Sequence, residues 1–188
     1  MIRKIAFTFA ALAAMATSAD AINLGATRAL KPKASQTLAA PVGYQVFCLK
    51  NKSECRGGGA TSIAYTSSTA AVLRRVNDAV NRSVRYRSDN AEVWTVGQSA
   101  GDCEDFALTK RSRLIRAGMP PGALRMATAR TRTGELHAVL IVKTDKGDFV
   151  LDNIRTAIVP RGQSGYRYLK IATSNPAIWQ QAKSGREI

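Results

Sequence analysis

Three apolar runs separated by two tight-turn signals constrain this chain more than any other feature. "ALRMATART" at 123–131, "ELHAVLIVKT" at 135–144 and "DFVLDN" at 148–153 are apolar or alternating, with "RTGE" and "TDKG" between them. Runs of that length joined by hairpin-like turns predict an antiparallel meander. "GYRYLKIAT" at 165–173 can add a further strand. Such a sheet needs a cover, and the segment before it supplies one. Asp102 is a good N-cap, Asp105 stands where its capping partner would fall, and Phe106, Ala107, Leu114 and Ile115 give an apolar side. Lys110, Arg111, Arg113 and Arg116 load the later turns, as the helix dipole favours, and Gly118, Pro120 and Pro121 end the helix. The expected class is α+β, with this helix packed on the antiparallel sheet.

Upstream, Val72, Leu73, Val76, Val80 and Val84 recur at three- and four-residue steps and predict a second helix with one buried face. "PVGYQVFCL" from Pro41 reads as extended, and "RGGGA" at 56–60 as a flexible connection. At the other end "NPAIWQQAK" at 175–183 reads as a short helix capped by Asn175, with Pro176 in its first turn. No internal repeat is visible.

Residues 1–21 have the pattern of an export signal. Arg3 and Lys4 precede an apolar run from Ile5 to Ala16, and Ala19-Asp20-Ala21 suits signal peptidase. The run is too short for a stable bilayer anchor, so no membrane span is expected after cleavage near Ile22. Residues 22–40 read as a mobile leader, leaving 41–188 as one domain. Loss of Arg3, Lys4 and Asp20 changes the net charge from +15 to +14. A chain so basic favours acidic partners. Export, and the lack of a basic-aromatic sheet motif or recognition helix, argue against nucleic acid.

Three cysteines in an exported chain leave one over. Cys48 and Cys55, seven apart with polar turn formers between them, are the economical disulfide. Cys103 is then the odd thiol, in the first turn of the Asp102 helix. A zinc site is disfavoured by a single histidine, His137, and the lack of a close cysteine pair. The helix dipole favours a Cys103 thiolate, whereas Asp102, Glu104 and Asp105 oppose it.

His137 begins one predicted strand and Asp152 ends the next. A two-residue turn at Asp145-Lys146 or Lys146-Gly147 makes opposing positions sum to an odd number and puts both on one face, whereas a three-residue turn without a bulge separates them. If the helix carrying Cys103 packs its N-terminus against that face, Cys103, His137 and Asp152 would be nucleophile, general base and orienting carboxylate for acyl transfer, with backbone N–H groups at the helix start holding the oxyanion. The bland alternative is an inert core cysteine, a structural histidine and a turn-capping aspartate.

"GDCEDFALTKRSRLIRAGMPPGALRMATAR", "GELHAVLIVKTDKGDFVLDN" and "YRYL", together with "FCLKNKSEC", "VNDAVNRSV" and Trp94, resemble the bacterial transglutaminase-like cysteine proteinase family from about Pro41 to Leu169. The resemblance implies a papain-like, transglutaminase-core fold with Cys103 as nucleophile, His137 as base and Asp152 as its orienter. It further implies a periplasmic protease that clips a large, acidic surface adhesin and is held in check by an inner-membrane receptor. The best-understood relatives use calcium, so the resemblance implies Asp102 and Glu104 as ligands by analogy. A divalent cation would cancel the field that suppresses the thiolate, whereas helix capping by the same acids is the metal-free alternative. Trp94 is assigned to the cleft wall or, as a large aromatic, to the core. "TVGQSA" between Trp94 and Gly101 is shorter than in many members, which affects the substrate cleft. Transfer of the acyl group to an amine, and a catalytically silent basic binding module, are the competing functions.

Overall fold

The computed structural model describes residues 37–89 and 91–182; the signal-peptide reading of 1–21 and most of the leader lie outside them. Thr37–Leu38 (β1) leads to Val42–Lys50 (α1) and Ser67–Ser83 (α2). Arg85–Tyr86 (β2) and Ala100–Gly101 (β3) precede Cys103–Arg116 (α3). The sheet strands Leu124–Arg130 (β4), Leu136–Thr144 (β5), Gly147–Leu151 (β6), Val159–Pro160 (β7), Arg167–Ala172 (β8) and Trp179–Gln181 (β9) follow. The larger sheet runs β1-β9-β8-β4-β5-β6-β7, each neighbour antiparallel, while β2 and β3 form a separate parallel pair. This is the expected α+β arrangement, with α3 packed across β5.

Register fixes which side chains share a face. Thr144 opposes Gly147, so the β5–β6 turn is the two residues Asp145-Lys146, and Leu140 opposes Leu151. Gly147 has φ 101°, a conformation open to glycine and costly for most other residues. The odd-sum pairing therefore holds, and Asp152, one step beyond β6, falls on the His137 face.

α2 begins five residues before its valine stripe because Thr66 caps it: Thr69 N–H donates to Thr66 Oγ1 at 3.1 Å. Leu73 and Val80 are fully buried, and Val80 and Val84 pack on Phe106 of α3. Asn77 lies on the same buried face, and its Nδ2 donates to the Thr156 carbonyl at 2.8 Å.

Two expectations are corrected. Residues 42–50 are helical rather than extended: Tyr44 and Phe47, three apart, turn inward together, and Tyr44 packs edge-on against Trp94 (5.4 Å) and Trp179 (5.3 Å). A Cβ at Gly43 would lie 2.4 Å from the Trp94 ring, so glycine is what lets α1 approach so closely. At the C-terminal end Asn175 builds a turn instead of capping a helix, its Oδ1 accepting from Ala177 N–H at 3.1 Å. Trp179–Gln181 then add to β8 as β9. The open edge of β8 and full burial of Trp179 outweigh the helical pattern of "NPAIWQQAK".

Cys48 and Cys55 are joined as a disulfide. The closed loop docks on α3 through Arg111, which is 1% exposed and donates to the carbonyls of Leu124, Glu54 and Arg56. Ser112 Oγ donates to Glu54 Oε1 at 2.9 Å. Of the four bases read from sequence as dipole partners, Lys110 and Arg111 are buried, Arg113 is half-buried and Arg116 is exposed.

Candidate active site

The first turn of α3 is built from acids that bond to backbone. Asp102 N–H donates to Asp105 Oδ2 at 3.2 Å, and Asp105 Oδ1 accepts from Thr95 N–H (2.7 Å) and Thr95 Oγ1 (2.9 Å). Asp105 folds back so closely that a Cβ at Gly101 would sit 2.1 Å from its Oδ2. The glycine of the Gly-Asp-Cys-Glu-Asp run is thus a steric requirement of the cap.

Cys103 follows as the first residue of α3. Its Sγ accepts a hydrogen bond from Ala138 N–H at 3.3 Å, and its thiol donates to Glu104 Oε2 at 3.2 Å. Ala138 directly follows His137 on β5, beyond the point where β6 stops pairing, so its amide can serve the sulfur. Burial first, then the Glu104 carboxylate, push the Cys103 thiol well above its ordinary range; the Ala138 amide pulls weakly the other way. In this arrangement the cysteine is held as a thiol.

His137 and Asp152 are 5% and 4% exposed, and His137 Nε2 meets Asp152 Oδ1 at 2.8 Å. Oδ1 also accepts from Ile154 N–H at 3.1 Å, and Oδ2 accepts from the Tyr166 hydroxyl. Burial raises the Asp152 carboxyl, but the bonds from His137, Tyr166 and Ile154 outweigh it and hold the group below the usual carboxylate range. Asn81 Nδ2 donates to the Asp152 carbonyl at 2.9 Å, tying the segment after β6 to α2. With Nε2 committed to the carboxylate, Nδ1 is the ring nitrogen left for proton exchange.

The two acids beside the cysteine differ in surroundings. Glu104 is 6% exposed, and burial, followed by its hydrogen bond with Asp102, raises it to about 8. Asp102 Oδ1 is buried and has no hydrogen-bond partner among the described residues. Two crowded carboxylates, one of them with an orphaned oxygen, are the donor chemistry a hard cation relieves. Among the described residues no group of three or more His, Cys, Asp or Glu side chains converges on a metal position, so further ligands would have to be carbonyls or water.

Trp94 does not line an open wall. It is 6% exposed in the core against Tyr44, which corrects its placement at the cleft. A cavity of about 390 Å³ opens instead beside Gly101, lined by Arg85, Arg87, Asp89, Thr95 and Asp105. Tyr166 and Lys110 were not singled out from sequence as site residues. Tyr166 touches both His137 and Asp152, yet no spacing links it to either. Lys110, on α3, is fully buried with its Nζ unbonded among the described residues, and burial lowers it to about 7 despite the attraction of Asp152 and Asp78.

The family model of bacterial transglutaminase-like cysteine proteinases matches residues 34–187. Among solved structures, calcium-bound Legionella pneumophila LapG is similar at a TM-score of 0.54 and 22% identity, covering 64% of this chain and 75% of its own. A second Legionella pneumophila LapG structure is similar at 0.52 and 24% identity, with 59% and 68% covered. An EGTA-treated form gives 0.52 and 22%, with 62% and 68% covered. At such identities the likeness speaks for the fold. No curated protein matches the chain.

Proposed function

Because the chain belongs to the bacterial transglutaminase-like cysteine proteinase family and is a cysteine peptidase, we propose that Cys103, His137 and Asp152 are its catalytic triad. The observation that carries this reading is the junction at β5: Ala138 N–H bonds the sulfur at 3.3 Å while the adjacent His137 bonds Asp152 at 2.8 Å. In the proposed cycle His137 Nδ1 takes the thiol proton as the sulfur attacks a peptide carbonyl. Backbone N–H groups at the start of α3 receive the oxyanion. The imidazolium, held by Asp152, protonates the leaving amine, and the same ring then activates the water that hydrolyses the thioester.

Asp102 and Glu104 are the residues that would hold calcium. When bound, the cation would supply the positive field that offsets the carboxylates opposing the Cys103 thiolate. The orphaned Asp102 oxygen and the raised Glu104 support this reading, as does the existence of calcium-bound and EGTA-treated forms of the similar LapG.

The mature chain is proposed to start near Ile22 and to work in the periplasm on an acidic, surface-associated protein such as a large adhesin, under an inner-membrane receptor. The positive charge supports the acidic partner. Among the described residues no helix is long and apolar enough to cross a membrane. The test is incubation of the purified mature protein with acidic surface proteins encoded in the same genome, with calcium or with chelator. Two fragments should appear for the wild type and none for Cys103→Ala, with both proteins folded. Cleavage by Cys103→Ala would exclude the mechanism, and an added amine mass in place of fragments would make the reaction a transfer.

A further inference from the structure

Asp152 is held from more sides than a triad requires. One carboxylate oxygen serves His137 and the Ile154 amide; the other is occupied by the hydroxyl of Tyr166. The same tyrosine sets its ring edge-on to the His137 ring, with centroids 5.3 Å apart and planes at 70°. One side chain therefore touches both members of the pair.

The backbone around Tyr166 is shaped for that contact. Gly165 has φ 77°, which turns the chain sharply just before β8. Ser164 is 3% exposed; its Oγ donates to the Arg161 carbonyl at 2.8 Å, and accepts from Tyr166 N–H at 3.3 Å and from the Tyr168 hydroxyl at 3.1 Å. The Tyr166 hydroxyl keeps its proton because burial, then the Asp152 carboxylate, raise it above the ordinary phenol range. It can act only as a donor to the anion.

Resting on the triad reading above, we infer that Tyr166 is a positioning residue: by holding Asp152 Oδ2 and flanking the His137 ring, it fixes the tautomer with Nε2–H on the carboxylate and Nδ1 open to the sulfur. Without the phenol, the carboxylate can rotate about the bond it keeps. In Tyr166→Phe the imidazole keeps its lateral ring contact but loses its single orientation, and transfer of the Cys103 proton to Nδ1 weakens.

His137 is the only histidine in the sequence, and Cys103 is the only cysteine outside the disulfide, so both can be read directly in the untagged protein. Nitrogen NMR of the ring and the rate of Cys103 alkylation by iodoacetamide would be followed against pH, with calcium present. The proteins compared would be wild type, Tyr166→Phe, Asp152→Asn, the double variant, His137→Ala and Tyr168→Phe. Charged and titratable groups around the His137–Asp152 pair are Lys110 on α3, Tyr168 on β8 and Arg155 after β6, while Asp102 and Glu104 act on Cys103; all are unchanged in Tyr166→Phe. The expected result is an Nε2–H tautomer in the wild type and a mixture in Tyr166→Phe. Alkylation near neutral pH should slow about tenfold, and its inflection should move about one unit toward the alkaline side. Tyr168→Phe should behave as wild type, and Tyr166→Phe should add nothing in the Asp152→Asn background.

A purely structural tyrosine would lower melting temperature without moving tautomer or inflection, and that outcome overturns the inference. If His137→Ala alkylates like the wild type, the triad fails and the inference fails with it. If His137→Ala is slow while Tyr166→Phe matches the wild type, only the positioning role fails.

Discussion

At the scale of single residues, the site is a competition over one proton. Burial resists a Cys103 thiolate most, and Glu104, which accepts the thiol's hydrogen bond, adds to that resistance. Glu104→Gln removes the nearest negative field. With chelator present at mildly alkaline pH, that variant should alkylate Cys103 several-fold faster than wild type and show no further response to added calcium; a rate equal to wild type would count against the electrostatic account. Gly101 is a second point of sensitivity, because a methyl group there would meet Asp105 at 2.1 Å. Gly101→Ala should displace the cap and destabilise the protein by about 1–2 kcal/mol in urea unfolding. Asp152→Asn should lower kcat by about 10³- to 10⁴-fold with little change in KM. From types and spacing the sequence offered Asp152 only as a candidate orienter and Glu104 as an acid opposing the thiolate, while the closeness of Gly101 to Asp105 emerged from the structure. Tyr166 was not offered, since its contact with Asp152 depends on how β8 lies beside β4.

At the scale of elements, α3 joins the site to the core and carries an internal cost. Folding brings Lys110 from an ordinary lysine value down to about 7, chiefly by burial. Because the unfolded chain holds that proton more tightly, the cost is fully present below pH 7 and fades as pH climbs through the ordinary lysine range. Lys110→Met should therefore gain about 1–4 kcal/mol at pH 6, and the gain should shrink toward pH 10. A variant less stable than wild type at pH 6 would mean that the ammonium is satisfied in solution. The helix itself was legible from its capping pair, its early acids and its terminal Gly-Pro-Pro. Burial of Lys110 and Arg111 was not, because a base on a helix reads as solvated until a neighbouring element covers it. The helicity of 42–50 was hidden similarly: valine, tyrosine, phenylalanine and cysteine all suit strands, and only the aromatic pocket of Trp94 and Trp179 shows why Tyr44 and Phe47 turn inward together.

At the scale of the whole molecule, the high positive charge should steer acidic substrates. The value of kcat/KM on an acidic protein should fall about tenfold or more between low and high ionic strength, and a salt-independent rate would remove steering from the account. The meander, its turn residues and the covering helix were written into the chain locally. Apolar runs of strand length and glycine at the β5–β6 turn needed no distant partner to be read. Alternation in a strand is a property of the backbone, so a two-residue turn puts His137 and Asp152 on one face; the sequence left a three-residue turn open, and the pairing of Thr144 with Gly147 decided between them. Tertiary structure alone decided what surrounds them: the Ala138 amide on the sulfur, the Tyr166 hydroxyl on the carboxylate, the buried lysine and the placement of Trp94 in the core. These contacts join residues on separate elements, and their geometry is set by how packed surfaces meet, which no local pattern encodes.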